Sequence, residues 1–260
     1  MATLKKISVC TVACLVVIIC SSVNRQSSIV NGKWATQKKG IVKICFINTV
    51  KNMPLVLDSI AYKNPFGEEY HIARLKYYIS NIALHNASQQ FAETNSYHLI
   101  DAADSNSLSF TIDATADTYN SISFIVGVDS LKNVSGAQSG ALDPANGMFW
   151  TWNSGYVMFK LEGNSPASTI INHRIEYHIG GFSGADNVLQ TITLPLQKKL
   201  NIEEGKNSEI IIMADLDKLW QGATDLKIAT TPATMTPGTL SKKIAANYNR
   251  MFTIKEVLNK

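Results

Sequence analysis

The stretch LDPANGMFWTWNSGYVMFKLEG, residues 142–163, decides the fold class of this chain. It opens with Asp143-Pro144 and Asn146-Gly147, residue types that form tight turns because proline fixes φ and asparagine and glycine tolerate positive φ. Its second half alternates with a period of two: one face carries Val157, Phe159 and Leu161, and the other Met158, Lys160 and Glu162. This alternation is typical of a half-buried β-strand that follows a turn.

An aromatic segment joins the turn to the strand. Trp150 and Trp152 are two positions apart, so in an extended chain their indoles share one face of the pleat, close to Tyr156. Large aromatic side chains on strands usually close off a core. A pair of indoles beside a turn is also a place where a binding site can be built, and both interpretations stay open at this stage.

Similar strand patterns recur along the chain and predict an all-β fold. Runs that are apolar or alternate with a period of two cover residues 41–50, 54–62, 72–84, 97–100, 108–112, 122–128, 157–162, 175–179, 192–196 and 210–213. A single turn of helix is expected at 216–219, and a C-terminal helix at 241–260 with Ser241 as its N-cap. Short, regularly spaced strands with turn-rich connections favour a single-domain antiparallel β-sandwich with a short C-terminal helix, over residues 41–260.

The N-terminus has the pattern of an export signal. Lys5 and Lys6 precede an apolar run at 7–19, so residues 1–20 are predicted to be a signal peptide. Cys20, followed by two serines, fits a lipidated first residue of the mature chain, but Ile19 stands where a small residue is normally required. Lipidation of Cys20 and ordinary cleavage or a retained anchor are therefore both open. Residues 21–40 are expected to form a flexible tether in the periplasm or cell envelope.

Cysteine use agrees with this organisation. Cys10, Cys14 and Cys20 lie in the signal, so only Cys45 belongs to the body of the chain and no disulfide within the processed chain is expected. Cys45 lies in an apolar strand, where a buried and inert thiol is the expected state.

Charge and motif content exclude several classes of function. The 24 Lys and Arg residues and 20 Asp and Glu residues are scattered, and two of the lysines belong to the signal, so nothing predicts a nucleic-acid surface. The sequence contains no GxSxG, GxGxxG, P-loop, HExxH or paired CxxC motif. We therefore expect a binding protein without catalytic activity.

Two histidines are candidate ligands. His178 precedes two glycines on the polar face of a strand, and His98 lies in a short strand, facing away from its apolar neighbours. Imidazole is a strong ligand for copper or zinc. A lone histidine on a strand is nevertheless more often a hydrogen-bonded residue than a ligand, and no His-x-His spacing strengthens the case.

A cluster of turn residues offers a different chemistry. Asp129, Asn133, Asp143 and Asn146 could supply oxygen ligands to calcium, although turn formation explains most of them. Together with stacking on the aromatic residues, such a turn would suit a carbohydrate-binding or adhesion module.

Five motifs together give the chain a family resemblance. LKYYISNIAL (75–84), YHLID (97–101), FIVGVDSLKN (124–133), GALDPANGMFWTWNSGYVMFKLEG (140–163) and HIGG (178–181) resemble the MbnP-like copper-binding family, in a form found in Bacteroidota. That family is named after a periplasmic protein encoded beside methanobactin copper-scavenging systems. The resemblance runs from about residue 42 to 252, and residues 150–156 are its most specific part.

The resemblance implies an exported β-sandwich that binds copper. In the best-known members of the family, a dihaem cytochrome c peroxidase-like (MbnH-like) partner oxidises a tryptophan to kynurenine, whose aryl amine helps to form the copper site beside histidines. Carried onto this chain, the resemblance implies Trp150 or Trp152 as the oxidised residue and His98 and His178 as ligands, without assigning a third histidine. Asp101, Asp129 and Asn153 are the expected partners of the ligating imidazoles.

These observations predict an exported copper-binding protein that holds or transfers copper. The alternative is a carbohydrate-binding or adhesion module that uses Trp150, Trp152 and Tyr156 as a platform, with calcium supporting the turn that includes Asp143. A third interpretation is a structural domain that docks a partner through its aromatic turn. Copper binding requires histidines near one indole, whereas sugar binding requires an exposed, coplanar pair of rings.

Overall fold

The computed structural model describes residues 29–30, 33–34, 37–136, 138–151 and 155–260 of the chain. The described residues fall into two units, one that ends at Gln37 and one that begins at Lys38. In the first, strands β1 (Ile29–Val30) and β2 (Lys33–Trp34) pair antiparallel. The predicted signal peptide and Cys20 lie outside the described residues. Among the helices that are described, none has the length and apolar character needed to cross a membrane.

The second unit consists mainly of strands. In chain order these are β3 (Lys39–Val50), β4 (Met53–Pro54), β5 (Tyr62–Lys63), β6 (Glu69–His85), β7 (Gln90–Ala92), β8 (Tyr97–Asp101), β9 (Ser109–Thr115), β10 (Thr118–Val126), β11 (Phe149–Thr151), β12 (Gly155–Asn164), β13 (Arg174–Gly180), β14 (Gln190–Asn201), β15 (Asn207–Asp215), β16 (Ala233–Thr234) and β17 (Phe252–Asn259). The helices are α1 (Ser130–Asn133) and α2 (Thr239–Tyr248). Short 3-10 turns occupy Ser105–Leu108, Gly140–Leu142, Pro144–Asn146, Ile171–His173, Gly184–Asp186 and Leu216–Leu219.

These strands form a large and a small sheet. The large sheet has the order β14-β10-β6-β12-β13-β16, with β5, β7 and β8 also paired to β6 and β11 paired to β12. The small sheet has the order β17-β15-β3-β4, with β9 also paired to β3. Most pairings are antiparallel, but β15 with β3 and β13 with β16 are parallel. The predicted all-β sandwich is confirmed.

The core lies between the two sheets and is rich in aromatic rings. Phe46 of the small sheet packs edge-on against Tyr77 and Phe124 of the large sheet, with ring centroids 6.2 and 5.9 Å apart. Phe252 lies against the same two rings at 5.9 and 5.4 Å. Edge-to-face contacts at these distances are favourable arrangements of aromatic rings, so both sheets are held by one cluster.

A third layer covers part of the outer face of the large sheet, the face turned away from the small sheet. Tyr78, Tyr156 and Met158 point outward from β6 and β12 and yet are fully buried. They are buried beneath residues 127–136 and 138–151, which we call the covering segment. The hydroxyl of Tyr78 donates to the carbonyl of Ala141 at 3.1 Å, and that of Tyr156 to the carbonyl of Leu142 at 2.7 Å. The turn at the start of the opening stretch is therefore part of this layer.

Three predicted elements differ from the structure. The C-terminal helix ends at Tyr248, and residues 252–259 form β17, because pairing with β15 extends the small sheet. Gly238 is the N-cap of α2, whereas Ser241 is buried and donates to the carbonyl of Thr236 at 2.7 Å. Of the predicted strand 54–62, only the two end residues lie in strands.

The side chain of Cys45 is half-buried rather than buried. Ile44 and Phe46 point into the core, so Cys45 faces the opposite way and its thiol donates to Glu209 Oε1 at 3.2 Å. Burial, followed by this hydrogen bond, raises the pKa of the Cys45 thiol. Because a raised pKa keeps the thiol protonated, Cys45 is still expected to be unreactive although it is partly exposed.

Candidate functional site

A row of polar side chains crosses the outer face of the large sheet. His178 of β13 lies opposite Lys160 of β12, Lys160 opposite Lys76 of β6, and Lys76 opposite Asp101 of β8. Residues directly opposite one another on paired strands point to the same face. The four side chains are therefore neighbours beside the covering segment.

His178 is the most buried member of this row. It is only 7% exposed, and its Nε2 lies 2.7 Å from Glu162 Oε1. Burial lowers the pKa of His178 and outweighs the opposing effect of the Glu162 hydrogen bond. The imidazole is therefore neutral at neutral pH, the form that can offer a nitrogen lone pair to a metal ion.

Glu162 is held from both sides. Its Oε1 contacts His178, while its Oε2 accepts a hydrogen bond from Arg74 Nη1. Burial raises the pKa of Glu162, but the His178 hydrogen bond and the Arg74 charge outweigh burial and keep that pKa below its usual value. Glu162 is thus an ionised, doubly anchored carboxylate next to a neutral imidazole.

The two lysines of the row hold the turn of the covering segment. Lys76 Nζ donates to the carbonyl of Asn146 at 3.3 Å, and Lys160 Nζ donates to the carbonyl of Gly147. Their side chains are only 19% and 12% exposed. Lys76 also pairs with Asp101 Oδ2 at 2.9 Å. Because these carbonyls belong to the turn that leads into β11, the lysines fix the position from which Trp150 extends.

The indole of Trp150 lies directly over Gly180. A Cβ placed on Gly180 would come within 2.4 Å of Cζ3 and 2.8 Å of Cη2 of Trp150, so only glycine leaves room for the ring. Gly180 and His178 are two positions apart on β13 and point to the same face, which places their Cα atoms about 6.7 Å apart. Trp150 therefore lies over the position two residues from His178 on the same face of β13. Trp152 and Asn153, by contrast, lie outside the described residues.

His98 lies on the other face of the large sheet. His98 is opposite Ile79 of β6. Ile79 is three residues from Lys76 with no register shift between them, so the two side chains point to opposite faces and Ile79 points inward. His98, its partner, points inward as well. Its ring stacks on Phe110 of the small sheet, with centroids 3.5 Å apart and planes inclined by 5°, and its Nε2 lies 3.2 Å from Glu93 Oε2. The structure does not bring His98 and His178 together, because they lie on opposite faces of the large sheet.

The remaining predicted residues have structural contacts. Asp129 caps α1 by accepting from the amide of Lys132 at 3.2 Å and also accepts from the hydroxyl of Tyr97. Asp143 caps the next turn by accepting from the amide of Ala145 at 2.8 Å. Tyr156 is fully buried. In the described part of the chain, no group of three or more His, Cys, Asp and Glu side chains is placed to hold a metal ion.

Sequence reasoning missed the carboxylates that contact the histidines. Glu162 contacts His178 and Glu93 contacts His98. Of the expected partners, Asp101 pairs with Lys76 and Asp129 accepts from Tyr97, while Asn153 lies outside the described residues. A signal for Glu162 was present, because it follows Lys160 by two positions on the polar face of a well-defined strand. Its partner could not be read from the sequence, since the contact depends on the register between β12 and β13.

The fold and this site define a β-sandwich whose large sheet carries a covered polar site beside a tryptophan. The family model for MbnP matches residues 39–237, so the chain belongs to the MbnP family. A solved structure of MbnP from Methylosinus trichosporium is similar, with a TM-score of 0.52 and 13% sequence identity over 73% of this chain and 80% of that chain. At this identity the likeness shows a shared fold. No curated protein matches the chain.

Proposed function

We propose that this protein binds copper in the cell envelope and holds or transfers it through a site on the outer face of the large sheet. One observation carries the proposal: Trp150 of the covering segment lies over Gly180, two residues along β13 and on the same face as the buried, neutral imidazole of His178. Membership of the MbnP family, which is associated with copper handling, supports copper as the metal that is bound.

The donor chemistry of these two residues fits copper. A neutral imidazole is a good ligand for copper ions. An intact indole is a poor one, because the lone pair of its ring nitrogen is part of the aromatic π system. Oxidation of Trp150 to kynurenine would replace the indole by an aryl amine, whose nitrogen lone pair lies outside the aromatic sextet and can be donated to a metal ion. His178 and the modified residue would then provide two nitrogen donors on one face.

The oxidation requires a partner. One equivalent of dioxygen, or two of hydrogen peroxide with release of two waters, cleaves the C2–C3 bond of the indole, and each of the two carbons gains a carbonyl oxygen to give N-formylkynurenine. One water then hydrolyses the formyl group, which leaves as formate, and the ring nitrogen becomes the free amine. We propose a dihaem cytochrome c peroxidase-like partner as the oxidising enzyme, and we assign no catalytic activity to this chain itself.

The same geometry supports a choice among the candidate ligands that the sequence left open. We assign the metal role to His178 and Trp150 and leave His98 outside the site, because it stacks in the sandwich on the opposite face. The carbohydrate-binding alternative loses support, since Tyr156 is fully buried and cannot belong to an exposed stacking platform. Export through residues 1–20 and lipidation of Cys20 stay predictions that match an envelope location.

The test is metal analysis with peptide mass spectrometry on protein purified from its native envelope under copper-replete conditions. We expect stoichiometric copper and conversion of Trp150 to kynurenine. Deletion of the dihaem partner should leave Trp150 intact and reduce the copper content. Copper-free protein with an intact Trp150, obtained with the partner present, would contradict the proposal.

A further inference from the structure

Glu162 makes a different contact with each of its carboxylate oxygens. Oε1 lies 2.7 Å from Nε2 of His178, and Oε2 accepts from Nη1 of Arg74. The same Oε1 lies 3.9 Å from Nζ of Lys160, which donates to the carbonyl of Gly147 in the covering segment. Glu162 therefore links His178, the candidate ligand, to Lys160, which holds the turn that leads into Trp150.

The chemistry of this contact determines which nitrogen of His178 carries the proton. An ionised carboxylate can only accept hydrogen bonds. Arg74 and Lys160 surround Glu162 with positive charge, which favours its ionised form. Nε2 of His178, 2.7 Å from Oε1, must therefore be the donor, and the nitrogen that can offer a lone pair to a metal ion is Nδ1.

We infer that Glu162 is a positioning residue that fixes His178 as its Nε2–H tautomer and makes Nδ1 the nitrogen that binds the metal. The inference rests on the proposed function and adds to it the donor atom and the residue that selects it. Carboxylates commonly orient metal-binding histidines by accepting from their second ring nitrogen. Here Arg74 immobilises the carboxylate, so the orientation of the imidazole is set before any metal arrives.

Substitution of Glu162 by glutamine should reverse the tautomer. Arg74 still requires an acceptor, so the amide oxygen turns to Arg74 and the amide NH₂ faces Nε2 of His178. That NH₂ group donates, and Nε2 must then accept, which moves the imidazole proton to Nδ1. A purely structural role for Glu162 would not reverse the proton position in a variant of almost identical shape.

The experiment uses histidine labelled with ¹⁵N in the full-length protein and long-range ¹H–¹⁵N NMR without metal at neutral pH. We expect His178 to carry its proton on Nε2 in the parent and on Nδ1 in Glu162→Gln, with Glu162→Ala as a second variant that fixes neither form. Glu93→Gln, which alters the carboxylate beside His98 on the opposite face, is the matched control and should leave His178 unchanged. A proton on Nδ1 of His178 in the parent would overturn the inference whether or not the variants fold.

Copper titration of the same proteins, carrying the modified Trp150, separates the inference from the function on which it rests. We expect Glu162→Gln to weaken copper binding about 10–100-fold, the usual effect of removing such a partner, and Glu93→Gln to have no effect. Equal copper affinity in the parent and Glu162→Gln would overturn the donor-atom assignment and leave copper binding intact. If no copper binds to the parent, the proposed function fails, even where the tautomer is as expected.

Discussion

Replacing Gly180 by alanine tests the packing of Trp150 that places it beside His178. The added methyl would lie 2.4 Å from Cζ3 and 2.8 Å from Cη2 of the indole, and 3.0 Å from the carbonyl oxygen of Tyr156. Carbon atoms in contact are normally about 3.5–4.0 Å apart. The indole must therefore move by more than 1 Å, roughly the difference between these distances, or the strand must shift.

Two opposing effects set the size of the change. Alanine is normally better than glycine within a strand by about 0.5–1 kcal/mol, because glycine loses more backbone freedom on folding. Forcing an extra methyl into a packed site costs about 1–3 kcal/mol. We expect the clash to prevail, so that Gly180→Ala lowers the free energy of unfolding by about 1–2 kcal/mol.

A double-mutant cycle, in which urea unfolding gives the free energy of unfolding of the parent, Gly180→Ala, Trp150→Ala and the double variant, measures this contact directly. In a Trp150→Ala background the ring is absent, so Gly180→Ala should cost much less there, with only the contact to the Tyr156 carbonyl still to accommodate. The coupling energy between the two sites should be about 1 kcal/mol or more, as expected for residues in contact. An equal effect of Gly180→Ala in both backgrounds would refute the placement of Trp150 over Gly180.

Three further outcomes follow from the structure. Glu68 accepts from two backbone amides of the 228–229 segment, which together with its other partners outweigh burial and hold its pKa below 4.5. The contribution of ionised Glu68 to the free energy of unfolding should be complete above about pH 4.5 and be lost as the pH falls further. Glu68→Gln should therefore make the melting temperature depend less on pH on the acid side. An unchanged pH profile of the melting temperature would contradict this. Burial and the Glu209 contact raise the pKa of Cys45, so its thiol should be alkylated more slowly than that of an exposed cysteine in a peptide. Mass spectrometry would follow both reactions, and equal rates would contradict the raised pKa. Tyr156→Phe removes the donor to the buried Leu142 carbonyl and should cost about 1–2 kcal/mol in urea unfolding, whereas a neutral effect would argue against that hydrogen bond.

The strands could be predicted because burial repeats with the same period as the backbone pleat. In β12, Phe159 and Leu161 point into the sandwich and Lys160 and Glu162 point away from it, as the alternation indicates. Met158 departs from the pattern: it lies on the outer face and is nevertheless fully buried by the covering segment. A local pattern cannot reveal such a third layer, since another part of the chain supplies it.

The same limit explains the errors in the candidate site. Each histidine was correctly placed on a strand, but the face it occupies depends on pairing between distant segments. His98 faces inward because it lies opposite Ile79, and His178 faces outward because it lies opposite Lys160. The C-terminal strand β17 was missed for a related reason, since its structure depends on pairing with β15 nearly forty residues earlier.

Copper binding at His178, on the outer face of the large sheet, is tested most directly by a comparison of two histidine variants. The copper content of envelope-purified parent, His178→Ala and His98→Ala would be measured together with their folded fraction. We expect the parent and His98→Ala to retain stoichiometric copper and His178→Ala to lose it while staying folded. Copper retained by His178→Ala, or lost from folded His98→Ala, would contradict the account.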